Sequence, residues 1–253
     1  MVLPVPFRSV VAACSWVGVL TATGCAGAEP AGGGASRDLP EMTVAPTEDF
    51  ELTGDGSARA WERAEWVPLH RREGGLEYTT RVRLLYSATG LYVLMDGSDA
   101  RITATMTEDF LDLWNEDVFE VFLWTDEAYP VYFEYEISPL GYELPILIPN
   151  FQGDFLGWRP WHYEGERVTR RATTVLGGPR ESGATVTGWR VEVFIPWALL
   201  QPLRGVPPRP GSRWRANFYR VDYDGETPTA WAWAPVGATF HEFQRFGILR
   251  FGQ

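Results

Sequence analysis

The stretch Asp112-Leu113-Trp114-Asn115-Glu116-Asp117-Val118-Phe119-Glu120-Val121-Phe122-Leu123-Trp124 decides how this chain is read. Its second half is an apolar run with the length and composition of a strand buried on both faces. Side chains alternate along a strand, so Val118, Glu120, Phe122 and Trp124 share one face and Phe119, Val121 and Leu123 the other. Glu120 therefore stands among apolar neighbours. An unpartnered polar group in such surroundings costs roughly 2–7 kcal/mol, and a charge costs more. Just upstream, Trp114 sits among Asp112, Asn115, Glu116 and Asp117, a polar loop that feeds the strand. A loop aromatic followed by a part-buried carboxylate is a binding-site arrangement.

The flanking sequence supplies neighbours for that strand. Val131 to Ser138 alternates again, with Tyr132, Glu134, Glu136 and Ser138 on one face and Val131, Phe133, Tyr135 and Ile137 on the other. Residues 81–96 read as a hairpin turning at Ala88-Thr89-Gly90. Gly188 to Ile195 is a strand stopped by Pro196, and Trp197 to Leu200 is a short helical turn. Trp214 to Asp222 is a further strand, with Asn217 and Tyr219 on one face and Phe218 and Arg220 on the other. Trp231 to Pro235 and Phe246 to Phe251 complete the set, and Arg167 to Val175 reads as a polar strand. Phe50 to Gly56 is expected to be a short strand entering an Asp-Gly turn, and Arg59 to Ala64 a helical turn that tucks Trp61 under a sheet. Gly157 to Tyr163 reads as an aromatic loop within a weakly patterned stretch from Glu143 to Gly188. About eight to ten short strands punctuated by turns predict an all-β chain, a single β-sandwich of antiparallel strands with jelly-roll or immunoglobulin-like character.

The charge of −11 argues against nucleic acid or an anionic membrane surface as a partner and suits a neutral or weakly cationic ligand. All 22 basic residues are Arg, which excludes Schiff-base lysine chemistry and a P-loop lysine. The 12 Trp, 10 Tyr and 14 Phe exceed what a stacking site needs, so most must belong to the core. A few would serve as platforms, because the C–H faces of sugar rings pack on aromatic rings.

The chain opens with Arg8, an apolar run from Val10 to Leu20, and then small residues, which reads as an export signal over residues 1–24. It ends in Ala22-Thr23-Gly24-Cys25, which resembles a bacterial lipobox, so Cys25 is the expected lipidated residue. Ala26 rather than Asp follows it, pointing to the outer membrane. Cleavage there would remove Cys14 and leave no pair of cysteines for a disulfide. Residues 25–45, rich in Gly and Ala, read as a flexible tether, and residues 46–253 as the folded domain. Membrane attachment is thus expected through the lipid alone.

Six phrases, in order, carry a family resemblance: Asp55-Gly56 followed by Trp61; Gly90-Leu91-Tyr92-Val93; Trp114 to Phe122; Gly188 to Trp197; Asn217 to Asp222; and Phe240-His241 with Arg245-Phe246-Gly247. Together they are similar to the family 9 carbohydrate-binding modules and their lipoprotein-borne relatives, over roughly Asp49 to Phe251. The resemblance implies a β-sandwich, a carbohydrate ligand and, often, structural calcium, for which Asp99 and Asp222 stand at strand ends. It maps two aromatics that grip the end of a glycan onto Trp114 and Phe240, and hydrogen-bonding positions onto Glu120, Glu136 and Tyr219. This chain departs from the sugar-binding pattern in having Phe at 240, an acid at 136 and Tyr at 219.

The leading expectation is a non-catalytic module of the cell envelope that aids polysaccharide breakdown. Two other classes stay open. A glycoside hydrolase could pair Glu120 with Glu134 or Glu136. A haem-binding electron-transfer sandwich would have Met95, Met106, His162 and His241 as its candidate ligands. The glutamates could instead be structural, paired with Arg190 and Arg220.

Overall fold

The computed structural model describes residues 39–151, 154–155, 159–160 and 162–253. The leader, Cys25, most of the tether, and Gly157, Trp158 and Trp161 of the aromatic loop lie outside the described residues. Strands occur at Glu41–Pro46 (β1), Val67–Glu73 (β2), Thr80–Tyr86 (β3), Gly90–Ser98 (β4), Val118–Trp124 (β5), Val131–Ile137 (β6) and Glu143–Phe151 (β7). They continue at Asp154–Phe155 (β8), Arg159–Pro160 (β9), Arg170–Leu176 (β10), Gly188–Pro196 (β11), Arg213–Asp222 (β12), Thr229–Ala232 (β13) and Gly247–Phe251 (β14). A single helical turn, Trp197–Leu200 (α1), follows β11.

The strands make a β-sandwich. One sheet runs β10-β11-β4-β3, and the other runs β14-β12-β5-β6-β7, with β13 beside the second half of β12. The pairings are antiparallel except at β1, which runs parallel to both β14 and β3 and so joins the sheets. β2 bridges them as well, through β3 and β13. The core between the sheets takes the alternate residues expected: Phe119, Val121 and Leu123 of β5 and Phe133, Tyr135 and Ile137 of β6 meet Val93 and Met95 of β4 and Val191 and Val193 of β11. The outer face of the first sheet is covered by the turn at Arg59–Arg63, which buries Trp61 against Leu85, Tyr92, Leu94 and Phe194.

Four expectations are corrected. Phe50 to Gly56 is not a strand, because its N–H groups are claimed by a side chain: Thr53 N and Gly54 N donate to Glu192 Oε2 at 2.5 and 2.9 Å. The tether ends before residue 45, since Met42 and Val44 alternate into the core from β1. The weakly patterned region after Glu143 holds the nine-residue strand β7. Pro145 and Pro149 disguise it, yet both are tolerated because the outer pairings with β9 and β8 engage Ile146, Leu147, Asn150 and Phe151 instead. The sandwich also has the parallel strand β1 where antiparallel pairing was expected throughout.

Candidate functional site

The site lies on the outer face of the second sheet. Register sets two rows across it. In one, Ala232, Tyr219, Glu120, Glu136 and Leu144 stand side by side on β13, β12, β5, β6 and β7. In the other, Glu73, Ala230, Val221 and Val118 line up on β2, β13, β12 and β5. Above these rows opens a cavity of about 410 Å³, lined among others by Trp114, Glu120, Glu134, Glu136, Tyr223 and Phe240. That volume suits a small ligand. The small side chain of Ala230 contributes to the space beneath it.

The Trp114 wall is fastened by acids the sequence presents as loop residues. Leu113 is buried under the turn at Leu113–Asn115. The Glu116 carboxylate accepts the Thr105 and Met106 N–H groups at 2.5 and 3.0 Å. Asp117 accepts Thr103 N at 2.6 Å and Tyr223 N at 3.0 Å, and the Tyr223 hydroxyl donates to Trp114 O at 2.6 Å. Trp114 is left half-buried, its ring on the cavity.

The Phe240 wall is built from below. Asn217 holds the loop after β13, donating to Ala234 O at 2.9 Å and accepting Ala234 N at 2.8 Å. Its Nδ2 also donates to the Tyr219 hydroxyl at 2.7 Å, which in turn donates to Phe240 O at 2.8 Å. The Tyr219 and Phe240 rings stack at 4.1 Å with 6° between their planes. Tyr219 is thus fully buried behind the wall, and its hydroxyl already serves Phe240 rather than facing the cavity. The Glu242 carboxylate closes the loop by accepting the N–H groups of Gly237 and Ala238.

The floor is three carboxyls: Glu120, Glu134 and Glu136, all buried. Glu120 is directly opposite Glu136, and Glu134, paired with Phe122, is its diagonal neighbour on the same face. Neither oxygen of Glu136, nor Oε2 of Glu134, has a hydrogen-bond partner. Burial, and then repulsion among the three, pushes all of them well above the ordinary carboxylate range. The nearby Trp114 N–H pulls Glu136 the other way, but with a smaller effect. His241, 3.7 Å from Glu134 and hydrogen-bonded to the Tyr132 hydroxyl at 2.8 Å, offers no compensating charge. Burial pulls its imidazole down to about 4, so it is neutral at pH 7.

The arginines proposed as partners go elsewhere. Arg190 binds Asp96 at 2.6 Å, and Arg220 lies between the sheets, 3.2 Å from Asp99 and 2.5 Å from Asp222. Its guanidinium also stands over the rings of Trp231, Tyr78 and Phe119 at 5.1–5.8 Å. A Cβ at Gly97 would come within 2.5 Å of Arg220 Nη1, so the opposite strand must be glycine there. Asp99, Asp222 and Asp224 bring ligand oxygens within 4.8 Å of one another, the expected calcium position. Calcium does not fit this arrangement. Every carboxylate oxygen already has a donor: Arg101 N and Arg220 on Asp99, Asp224 N and Arg220 on Asp222, and Arg101 and the Tyr78 hydroxyl on Asp224. The cation is Arg220 itself. The haem candidates are scattered, with Met95 in the inter-sheet core and His162 exposed beside Glu164.

Sequence reasoning missed Tyr223 and Glu73 on the cavity wall. Tyr223 continues the alternation of Asn217, Tyr219 and Val221 one step past β12 and could have been found. Glu73 enters only because β2 crosses from one sheet to the other, which no local pattern reveals.

Residues 53–143 match the family described as carbohydrate family 9 binding domain-like. A putative carbohydrate-binding protein from Bacteroides uniformis has a similar fold, with TM-score 0.67 and 17% identity over 85% of this chain and 100% of that one. A family 9 carbohydrate-binding module from Caldicellulosiruptor kristjanssonii, solved with cellotriose, has TM-score 0.61 and 14% identity over 85% of this chain and 95% of that one. A curated protein of Arthroderma benhamiae named extracellular protein is 26% identical over 169 residues, 64% of this chain and 73% of that protein. The chain is thus similar to the family 9 carbohydrate-binding modules in residues 53–143 and in its fold.

Proposed function

We propose that the chain is a non-catalytic carbohydrate-binding module, exported and held at the outer membrane through Cys25. Trp114 and Phe240 grip the end of a glycan above the Glu120, Glu134 and Glu136 floor, and the module keeps its bearer on polysaccharide under breakdown. The observation that carries this reading is the cavity itself: two aromatic walls over a carboxyl floor, built on the face of β5 that the family match covers. The C. kristjanssonii module solved with cellotriose and the Arthroderma protein's name support a sugar ligand and export. Hydrolysis is the weaker reading, because the family that matches residues 53–143 is described as a carbohydrate-binding domain.

A stacking platform contributes about 0.5–1.5 kcal/mol beyond its buried area. Trp114→Ala should therefore weaken glycan binding by about tenfold or more in titration calorimetry. Trp114 is half-buried at the cavity, so the thermal midpoint should move little. Unchanged affinity, or a large loss of stability, would make Trp114 a structural residue.

A further inference from the structure

The floor differs from every other buried acid in the described residues. Asp99, Glu116, Asp117, Glu143, Glu192 and Asp222 each accept hydrogen bonds from named donors. Glu134 and Glu136, almost wholly buried on the cavity, leave three oxygens with none. Among the described residues the cavity lining includes no arginine, its histidine is neutral at pH 7, and Glu73 at the margin adds a further acid. Arg72, which lies over the Phe240 ring at 5.3 Å, is engaged with Gly237 O and Glu73. The cavity thus combines a triangle of acceptors with the aromatic rings of Trp114, Tyr223 and Phe240.

A neutral sugar could share hydrogen bonds with this floor but would bring no charge to stabilise an ionised carboxyl there. A primary ammonium matches it better. It has three N–H donors and no lone pair to oppose an acceptor, it is attracted to aromatic faces, and its hydrogen bonds to carboxylates are charge-assisted. We propose that the ligand is an amino sugar bearing a free ammonium, seated among Glu120, Glu134 and Glu136 between the Trp114 and Phe240 walls. This rests on the carbohydrate-binding reading above and narrows it to a cationic glycan. Binding would ionise at least one carboxyl of the floor and release its proton to solvent.

The test is titration calorimetry of the full chain with a fully deacetylated glucosamine trisaccharide, its N-acetylated counterpart, cellotriose and spermidine, at pH 6. The glucosamine trimer should bind at least tenfold tighter than either neutral trimer, with protons released in proportion to binding. Glu136→Gln should remove that advantage while the domain stays folded, since neither oxygen of Glu136 holds a partner. Neutral trimers binding as tightly as the glucosamine trimer would overturn the ammonium site and leave the carbohydrate reading standing. Spermidine binding as tightly would overturn the sugar as the recognised unit. Binding by none of the four would overturn the ammonium site, and the carbohydrate reading would then stand or fall on its own glycan screen.

Discussion

Two groups of buried ionisable side chains sit on opposite faces of the same sheet. On the inner face of β12, Arg220 is enclosed by three aromatic rings and bonded to Asp99 and Asp222. On the outer face of β5 and β6, Glu120, Glu134 and Glu136 stand together with no cation among the described residues. In the first group Arg220 has both acids as partners within the chain, although its Nε has none. In the second, three carboxyl oxygens have no hydrogen-bond partner. A buried charge paired within the chain serves the fold, whereas unpartnered acceptors beside a cavity carry a free-energy penalty that a ligand can relieve.

The sharpest way to break this comparison is to remove the inner cation. Arg220→Met leaves Asp99 and Asp222 buried without compensation and should cost roughly 3–5 kcal/mol in denaturant unfolding, the typical effect of breaking a buried ion pair. A loss below about 1 kcal/mol would put this group on the level of an exposed pair.

The outer group should appear in the pH dependence. The folded pKa values of Glu120, Glu134 and Glu136 lie above their unfolded values, so the folded state keeps protons that the unfolded state has released. Stability is therefore full below the ordinary carboxylate range and falls as pH rises above it, by about 1.4 kcal/mol per pH unit for each proton retained. Asp99, raised to about 7 by burial despite Arg220, and Asp117, raised to about 8 by burial and its acidic neighbours, act in the same direction. The unfolding midpoint should be lower at pH 8 than at pH 5. The slope should flatten in Glu136→Gln, and an unchanged slope would show that the floor does not hold its protons.

The smallest effect concerns metal. With Arg220 as the cation between Asp99 and Asp222, exhaustive chelation should leave the thermal midpoint unchanged, and a drop that calcium restores would contradict that assignment.

Much of this contrast is legible in the amino-acid sequence. The period-two alternation puts Glu120, Glu134, Glu136 and Tyr219 on one face and Arg220 on the other, because face follows from position along a strand. Partner choice is not legible, because it depends on register between distant strands: Arg190 meets Asp96 only through the pairing of β11 with β4. Depth is hidden for a related reason. Tyr219 lies on the expected face, but the loop carrying Phe240 folds over it and takes its hydroxyl. The Phe50–Gly56 segment has strand-like residues, yet its amides go to Glu192, 138 residues away in the case of Gly54. The prolines of β7 hide a strand because local propensity cannot see that the outer pairings pass them by.

The central claim is that the outer carboxyls are held for a ligand and not for the fold. It is tested most directly by the thermal unfolding of Glu136→Gln at pH 7 beside wild type without ligand. Because Gln keeps the shape, removes a buried acid and keeps an oxygen to face the Trp114 N–H, the midpoint should stay level or rise. A clear fall would mean that Glu136 is bonded within the folded chain and that the floor belongs to the structure.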